Sequence, residues 1–276
     1  MSPEHCCDRN IFTANMTWVI GTPSSMGYGI AISDVRVTFP DGTTHDCLQK
    51  IYPVGRFITA GFAGSVAFGF WAIGNLQQQL GRAEPGHAWV PGWVAFKWFR
   101  LARRVFGISP PHVKAKGAAI MLVGVSPTVD VGIPGWARAT VAIMQAPDFF
   151  PRILRLQEVG AIGSGSGVEL YIRELEQLQR NPYEIWQAEV GMPGGFGRIV
   201  LHNIQQTILQ NPSTGISHHL HLCLVRRGEI TLIKSDHSVV PPNGPEIEVR
   251  MPRVATTWAE FKEMCSETSE ATQAKC

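Results

Sequence analysis

The sequence predicts an α+β protein in which helix pairs cover two antiparallel sheets. Two observations lead there. Strand-like and helix-like periodicities fall in separate runs, in the order strands, two helices, strands, two helices, strands, and the runs of strands are broken by turns short enough for hairpins. Segregated runs imply packed layers and not a repeated βαβ unit. The length of 276 residues admits one large domain or two small ones, and the sequence has no internal repeat.

Residues 1–15 are polar and irregular, and the pattern changes at Met16. Residues 17–20 and 29–37 are β-rich runs joined by Gly21, Pro23, Ser24, Ser25 and Gly27, which reads as a hairpin. Asp41-Gly42 marks a further turn, leading to strands over 44–52 and 56–61. Residues 65–80 then place Val66, Phe70, Ile73 and Leu76 on one helical stripe, and 93–106 repeat that spacing. Strand signals return over 117–125 and 137–145, helical ones over 168–178 and 198–209. A last hairpin spans 217–226 and 229–235 across Arg227-Gly228. Residues 240–255 are rich in proline and valine. A short amphipathic segment over 258–264 and a polar tail read as a docking element followed by disorder.

Composition excludes several classes. Twenty-four basic against 22 acidic residues leave a net charge of +2, too little for a nucleic-acid footprint. The basic stretch 100–104 alternates with apolar residues at helical spacing and reads as a solvated helix face. The 6 cysteines lack metal-ligand spacing. Residues 1–15 contain Glu4, Asp8 and Arg9 and lack the apolar centre of a secretory signal, and no apolar run is long enough to span a bilayer. Free thiols in a reducing cytoplasm are the expectation.

The residues that carry chemistry are Thr17, then Asp34-Val35-Arg36-Val37-Thr38, then Lys50, then Ala60-Gly61-Phe62-Ala63-Gly64. This series resembles the active-site series of proteasome β-subunits, and the last stretch is closest to the bacterial heat-shock-locus peptidase. Both are N-terminal nucleophile hydrolases. The resemblance covers 17–235 and implies their four-layer αββα sandwich. The chemistry agrees with it. A threonine hydroxyl is a weak nucleophile that needs an adjacent base. The α-amine of an N-terminal threonine, with an ordinary pKa near 8, is such a base. Lys50 would lower that pKa by like-charge repulsion, and Asp34 would keep Lys50 oriented.

The resemblance also assigns roles. Thr17 becomes the nucleophile and Gly61, at a strand-to-helix turn, the main-chain oxyanion donor. Ser164, in the turn Gly163-Ser164-Gly165, would hold the amine. Taken without the resemblance, that glycine-rich run is a turn or a phosphate cradle lacking the P-loop lysine. Arg36 and Thr38 would run beside the substrate, and Thr59 and Ala63 would line the pocket for the side chain before the scissile bond. The family's Asp followed by a Ser-Gly pair is represented by Asn211 and Thr214-Gly215, where Thr214 keeps the hydroxyl and Asn211 lacks the charge.

Residues 1–16 are read as an extension or propeptide, or as a misassigned start with Met16 the true initiator, ahead of a domain over 17–239 and a C-terminal extension over 240–276. The implied activity is a threonine-type endopeptidase acting on polypeptides in homo-oligomeric stacked rings. An ATP-dependent unfoldase would feed them, and the chemistry requires neither metal nor organic cofactor. A catalytically inactive ring subunit and an amidase for small non-peptide amides are the alternatives. His218, His219 and His221 cluster in a strand-like run in which His219, His221 and Cys223 share one face, a His-His-Cys row that reads as structural or subunit-facing, or as a zinc site short of a fourth ligand. The glycine-rich 191–197 follows no strand and is a weak nucleotide-binding signal. Trp89, Trp93, Trp98 and Phe99 read as core with a share facing a neighbouring subunit.

Overall fold

In the computed structural model of the chain, the described residues are 18–39, 41–81, 89–130, 132, 137–180, 187, 195–213, 215–235, 237–239 and 247–273. The chain forms β1 (Trp18–Pro23), β2 (Gly29–Asp34), β3 (Arg36–Thr38), β4 (Thr44–Asp46), β5 (Ile51–Gly55), β6 (Ile58–Gly64), α1 (Val66–Gly81), α2 (Pro91–Ile108) and the short α3 (Pro111–Ala115). It continues with β7 (Ala118–Asp130), β8 (Ala137–Gln145), β9 (Arg152–Ile153), β10 (Gly160–Gly163), a single 3₁₀ turn (Ser164–Gly167), α4 (Glu169–Leu178) and α5 (Gly195–Gln210). The last elements are β11 (Leu220–Arg226), β12 (Glu229–Lys234), β13 (His237–Val239), β14 (Ile247–Val249) and α6 (Trp258–Gln273). The chain is therefore mixed α and β, as its periodicities predict.

Two five-stranded antiparallel sheets dominate, in the orders β10-β1-β2-β11-β12 and β5-β6-β7-β8-β9. Strand alternation gives each sheet two apolar faces, and three apolar clusters result. Val19, Ala31, Cys223 and Val225 of the first sheet meet Ile51, Met121, Val123 and Val141 of the second. Phe68, Ala72 and Leu76 of α1, with Val94, Trp98 and Phe106 of α2, pack on Tyr52, Phe62, Ile120 and Leu122. Tyr171 and Leu175 of α4, with Phe196, Val200 and Ile204 of α5, pack on Trp18, Ile20, Ile32 and Leu222. Each large side chain so buried stabilises the fold by about 1.5–3 kcal/mol. The sheets approach closely because glycines face the seam. A Cβ on Gly21 would lie 2.6 Å from Met121 Sδ, and one on Gly29 would lie 2.8 Å from Val123 Cγ1.

Three expectations are corrected. The strand over 29–37 is two strands, because the Asp34 carboxylate accepts the Arg36 N–H (3.2 Å) and Val35 O accepts those of Cys47 and Leu48 (3.0 Å each). The strand over 44–52 breaks at 47–50 for the same reason, releasing Lys50 from a regular ladder. The docking segment expected over 258–264 is longer than that, extending into the stretch read as a polar tail. Residues 247–249 pair with 237–239, and α6 runs to Gln273 with Phe261 and Cys265 buried in the cluster under α1. Among the described residues no helix is long and apolar enough to cross a membrane.

Two glycines of α1 separate propensity from packing. A Cβ on Gly69 would sit 2.1 Å from the Phe62 ring, whereas one on Gly74 meets nothing within 4 Å. Gly74→Ala is expected to stabilise the protein by about 0.5–1 kcal/mol, and Gly69→Ala to destabilise it by about 1–3 kcal/mol. Urea unfolding of the two variants checks the opposite signs.

Candidate active site

The N-terminal end of β1 is where separated segments converge. Trp18 is paired with Gly163 at the end of β10, and its N–H donates to Asp34 Oδ1 (3.3 Å) at the end of β2. Asp34 and Lys50 are both fully buried, with Lys50 Nζ 2.5 Å from Asp34 Oδ1. Lys50 Nζ also donates to Arg36 O (2.6 Å), and Asp34 Oδ2 accepts the N–H groups of Arg36 and Ser217 (3.2 and 3.1 Å). The carboxylate thus receives four hydrogen bonds from four stretches of chain. Complete burial is the largest influence on both groups. It raises the Asp34 carboxyl above its ordinary range and lowers the Lys50 ammonium below its own, each opposed by the partner's charge.

Asp46 forms a second layer. It takes Arg36 Nε (2.7 Å) and Nη2 (3.2 Å) in a bidentate pair and accepts the Ser217 hydroxyl (2.6 Å). Burial acts to raise its pKa, and the bonds from Arg36 and Ser217 outweigh that and hold it below the ordinary range. Ser217 joins the layers, its N–H on Asp34 and its hydroxyl on Asp46. Neither Asp46 nor Ser217 was legible as a site residue. Each is a single polar residue at or near a strand end, and two strand pairings bring them together: β3 with β4 places Asp46 beside Arg36, and β2 with β11 brings Ser217 to Asp34.

The structure brings together Asp34 and Lys50, with Ser164 next in sequence to the strand-paired Gly163 and exposed on the 3₁₀ turn. Thr17 and Thr214 lie outside the described residues. Gly61 is not at a strand-to-helix turn. It is interior to β6, paired with Ile51 and Met121, and a Cβ there would meet Val19 at 2.9 Å. The turn glycine is Gly64, with φ 88°, at the junction with α1. Phe62 N–H donates to Lys50 O (3.1 Å). Thr59 and Ala63 share the Gly61 face, which packs on the other sheet. Both are buried, and the Thr59 hydroxyl donates to Tyr52 O (2.8 Å), so neither lines an open pocket.

Arg36 contributes its carbonyl to Lys50. Its guanidinium is occupied by Asp46 and by Ile216 O (3.2 Å). Thr38 stands at the far end of β3 with its hydroxyl unpartnered among the described residues. The Asn211 side chain is exposed and turns back to Thr207 O (3.4 Å) on its own helix, away from the ion pair.

The His-His-Cys row divides between two environments. His219 Nε2 is 3.9 Å from Asp46 Oδ2, while His221 and Cys223 are buried in the seam. Among the described residues no three His, Cys, Asp or Glu side chains are grouped to hold a metal. Neither ring nitrogen of His221 nor the hydroxyl of Ser33, its cross-strand partner, has a hydrogen-bond partner among the described residues. No protein-family model matches the sequence, and no curated protein matches it.

Burial, aided by the charges of Lys234 and Lys50, lowers His221 to a pKa of about 4. The folded state therefore favours the neutral ring. The stability this gives is complete above the unfolded value near 6.5 and is lost as pH falls toward 4. Thermal unfolding at pH 7 and pH 4.5 is expected to show a smaller drop in Tm for His221→Leu than for the unmodified chain. At the ion pair, Lys50→Met leaves Asp34 buried without its counter-charge and is expected to cost about 3–5 kcal/mol in denaturant unfolding. Adding Asp34→Leu should recover part of that loss.

Proposed function

We propose that the chain is a threonine peptidase of the proteasome kind, an N-terminal nucleophile hydrolase on a four-layer αββα sandwich. The observation that carries this reading is the buried Lys50–Asp34 pair, held by Arg36 O and Ser217 N–H at the end of β1 where residue 17 joins Trp18. A buried ammonium kept charged by its carboxylate partner is suited to depress an adjacent α-amine toward neutrality by like-charge repulsion. It is costly to build for stability alone.

In this reading Thr17, freed at its amine by loss of residues 1–16, attacks the peptide carbonyl through its hydroxyl. The α-amine takes the hydroxyl proton and returns it to the leaving amine. The acyl group on the threonine oxygen is then released to water activated by the same amine. Lys50 keeps that amine neutral, and Asp34 holds Lys50. The oxyanion donor of this reading is the Gly61 N–H that the resemblance implies, and Ser164 borders the amine. Polypeptides are the substrates. Assembly into stacked rings, an ATP-dependent unfoldase and a cytoplasmic location belong to the same proposal.

The test combines N-terminal mass analysis with a peptide epoxyketone, which needs hydroxyl and free amine together. The expected result is a chain beginning at Thr17 that carries the adduct, with fluorogenic peptide cleavage reduced at least about 10³-fold in Thr17→Ala. A chain retaining residues 1–16 with no adduct would leave the inactive ring subunit as the reading. An adduct together with cleavage of small amides but not peptides would point to the amidase.

A further inference from the structure

The stretch that delivers Lys50 is bound on one side by β6, through the Phe62 N–H on Lys50 O, and on the other by a segment from the far end of the sequence. Ala255, 1% exposed, donates its N–H to Cys47 O (2.8 Å) and accepts that of Gln49 (3.0 Å), forming an isolated parallel bridge with Leu48. These bonds grip the two residues on either side of Leu48 and stop one residue short of Lys50. Ala255 is itself fixed from behind. Thr256 donates its N–H and hydroxyl to Glu260 (2.7 and 2.8 Å), and Thr257 Oγ1 accepts the Glu260 N–H (3.2 Å), a reciprocal cap that sets the start of α6 three residues beyond the bridge. Trp258 and Phe261 then stack on each other (5.8 Å) and pack on Phe70 of α1 (5.9 and 6.5 Å), with Phe261 fully buried.

We propose that residues 255–261 are a positioning clamp for Lys50, with Ala255 its contact point and Phe261 its anchor. The function of the segment is to hold the 47–50 stretch so that the ammonium meets Asp34 and Arg36 O. The irregular stretch needs such a partner. It leaves the β4 ladder at Asp46 and joins β5 only at Ile51, so its main-chain groups depend on Val35, Phe62 and Ala255 for backbone partners among the described residues. When the clamp releases, Lys50 loses its fixed distance from the α-amine. Its electrostatic depression of that amine weakens, and the amine's pKa rises toward the ordinary value near 8. The catalytic consequence rests on the peptidase reading; the mechanical one does not.

The experiment compares the full chain with Phe261→Ala, Phe261→Leu and Ala255→Pro, the last removing the N–H given to Cys47 O. Two readouts are taken: amide hydrogen exchange across 47–50, and the pH profile of kcat/KM on a fluorogenic peptide. Phe261→Ala is expected to lose at least roughly tenfold protection at Gln49 while β11 and α5 keep theirs. The acid limb of its pH profile should move up by about half a unit or more, with kcat falling and KM little changed. Phe261→Leu, which keeps apolar volume, should restore both. Unchanged Gln49 protection overturns the clamp. Lost protection with an unmoved acid limb overturns the positioning role and leaves a structural contact. Should Ala255→Pro fail to fold, the two Phe261 variants decide. If the unmodified chain cleaves no peptide and takes no epoxyketone, the peptidase reading falls, and exchange at Gln49 alone decides whether the clamp exists.

Discussion

Burying an aspartate and a lysine completely, as this chain does with Asp34 and Lys50, is expensive before it is useful. Each ion gives up several kcal/mol of hydration, and mutual attraction repays that only when the remaining lone pairs and protons also find partners. Asp34 meets the condition by accepting from Lys50 Nζ and from three main-chain N–H groups, at Trp18, Arg36 and Ser217. Those donors come from the start of β1, the β2–β3 junction and the approach to β11. None of these segments can shift without stranding a buried charge. The pair therefore fixes the end of one sheet against the edge of the other, and the local irregularities follow from it: the break at Val35, the unladdered 47–50 stretch and the bridge to Ala255.

The second layer explains why the first is rigid. Arg36 is bound through its N–H to Asp34, through its carbonyl to Lys50 and through its guanidinium to Asp46 and Ile216, so one residue ties both carboxylates and the cation together. Ser217, on the approach to β11, links the two carboxylates a second time. One residue along β2 from Asp34, Ser33 is paired with His221, and their side-chain polar atoms have no hydrogen-bond partner among the described residues. A core selected for stability alone would carry apolar residues there. Local violations of this kind gather near sites under a functional constraint.

Most of the architecture was legible because it rests on periodicity. The stripe Val66, Ile73, Leu76 and the alternation in β7, β8 and β11 survive any change of context, so the helices and long strands fall where the spacing puts them. What was illegible depends on single hydrogen bonds between distant residues. Nothing local in 29–37 reveals that a carboxylate will end the strand at Asp34. Nothing in 258–264 reveals that α6 will be held by packing on Phe70. The expectation that Gly61 sits at a strand-to-helix turn failed for a more specific reason. Gly61 and Gly64 occupy the same motif three residues apart, and only the pairing of β6 with β5 and β7 shows which lies inside the ladder and which closes it.

Asp34 and Lys50 are recognisable in sequence because their side chains carry the charge. The groups that complete their coordination are N–H and C=O groups of Trp18, Arg36 and Ser217, and a main-chain group leaves almost no trace in residue identity. At such positions the constraint falls on where the backbone goes. It is met by whatever side chains pack the neighbouring surfaces, Trp18 against Tyr171 and Phe261 under α1. Precision at the ion pair is therefore stored in the packing of elements remote from it. A loss of apolar volume at Phe261 then acts on Lys50 through two main-chain hydrogen bonds, with no altered side chain touching either charge.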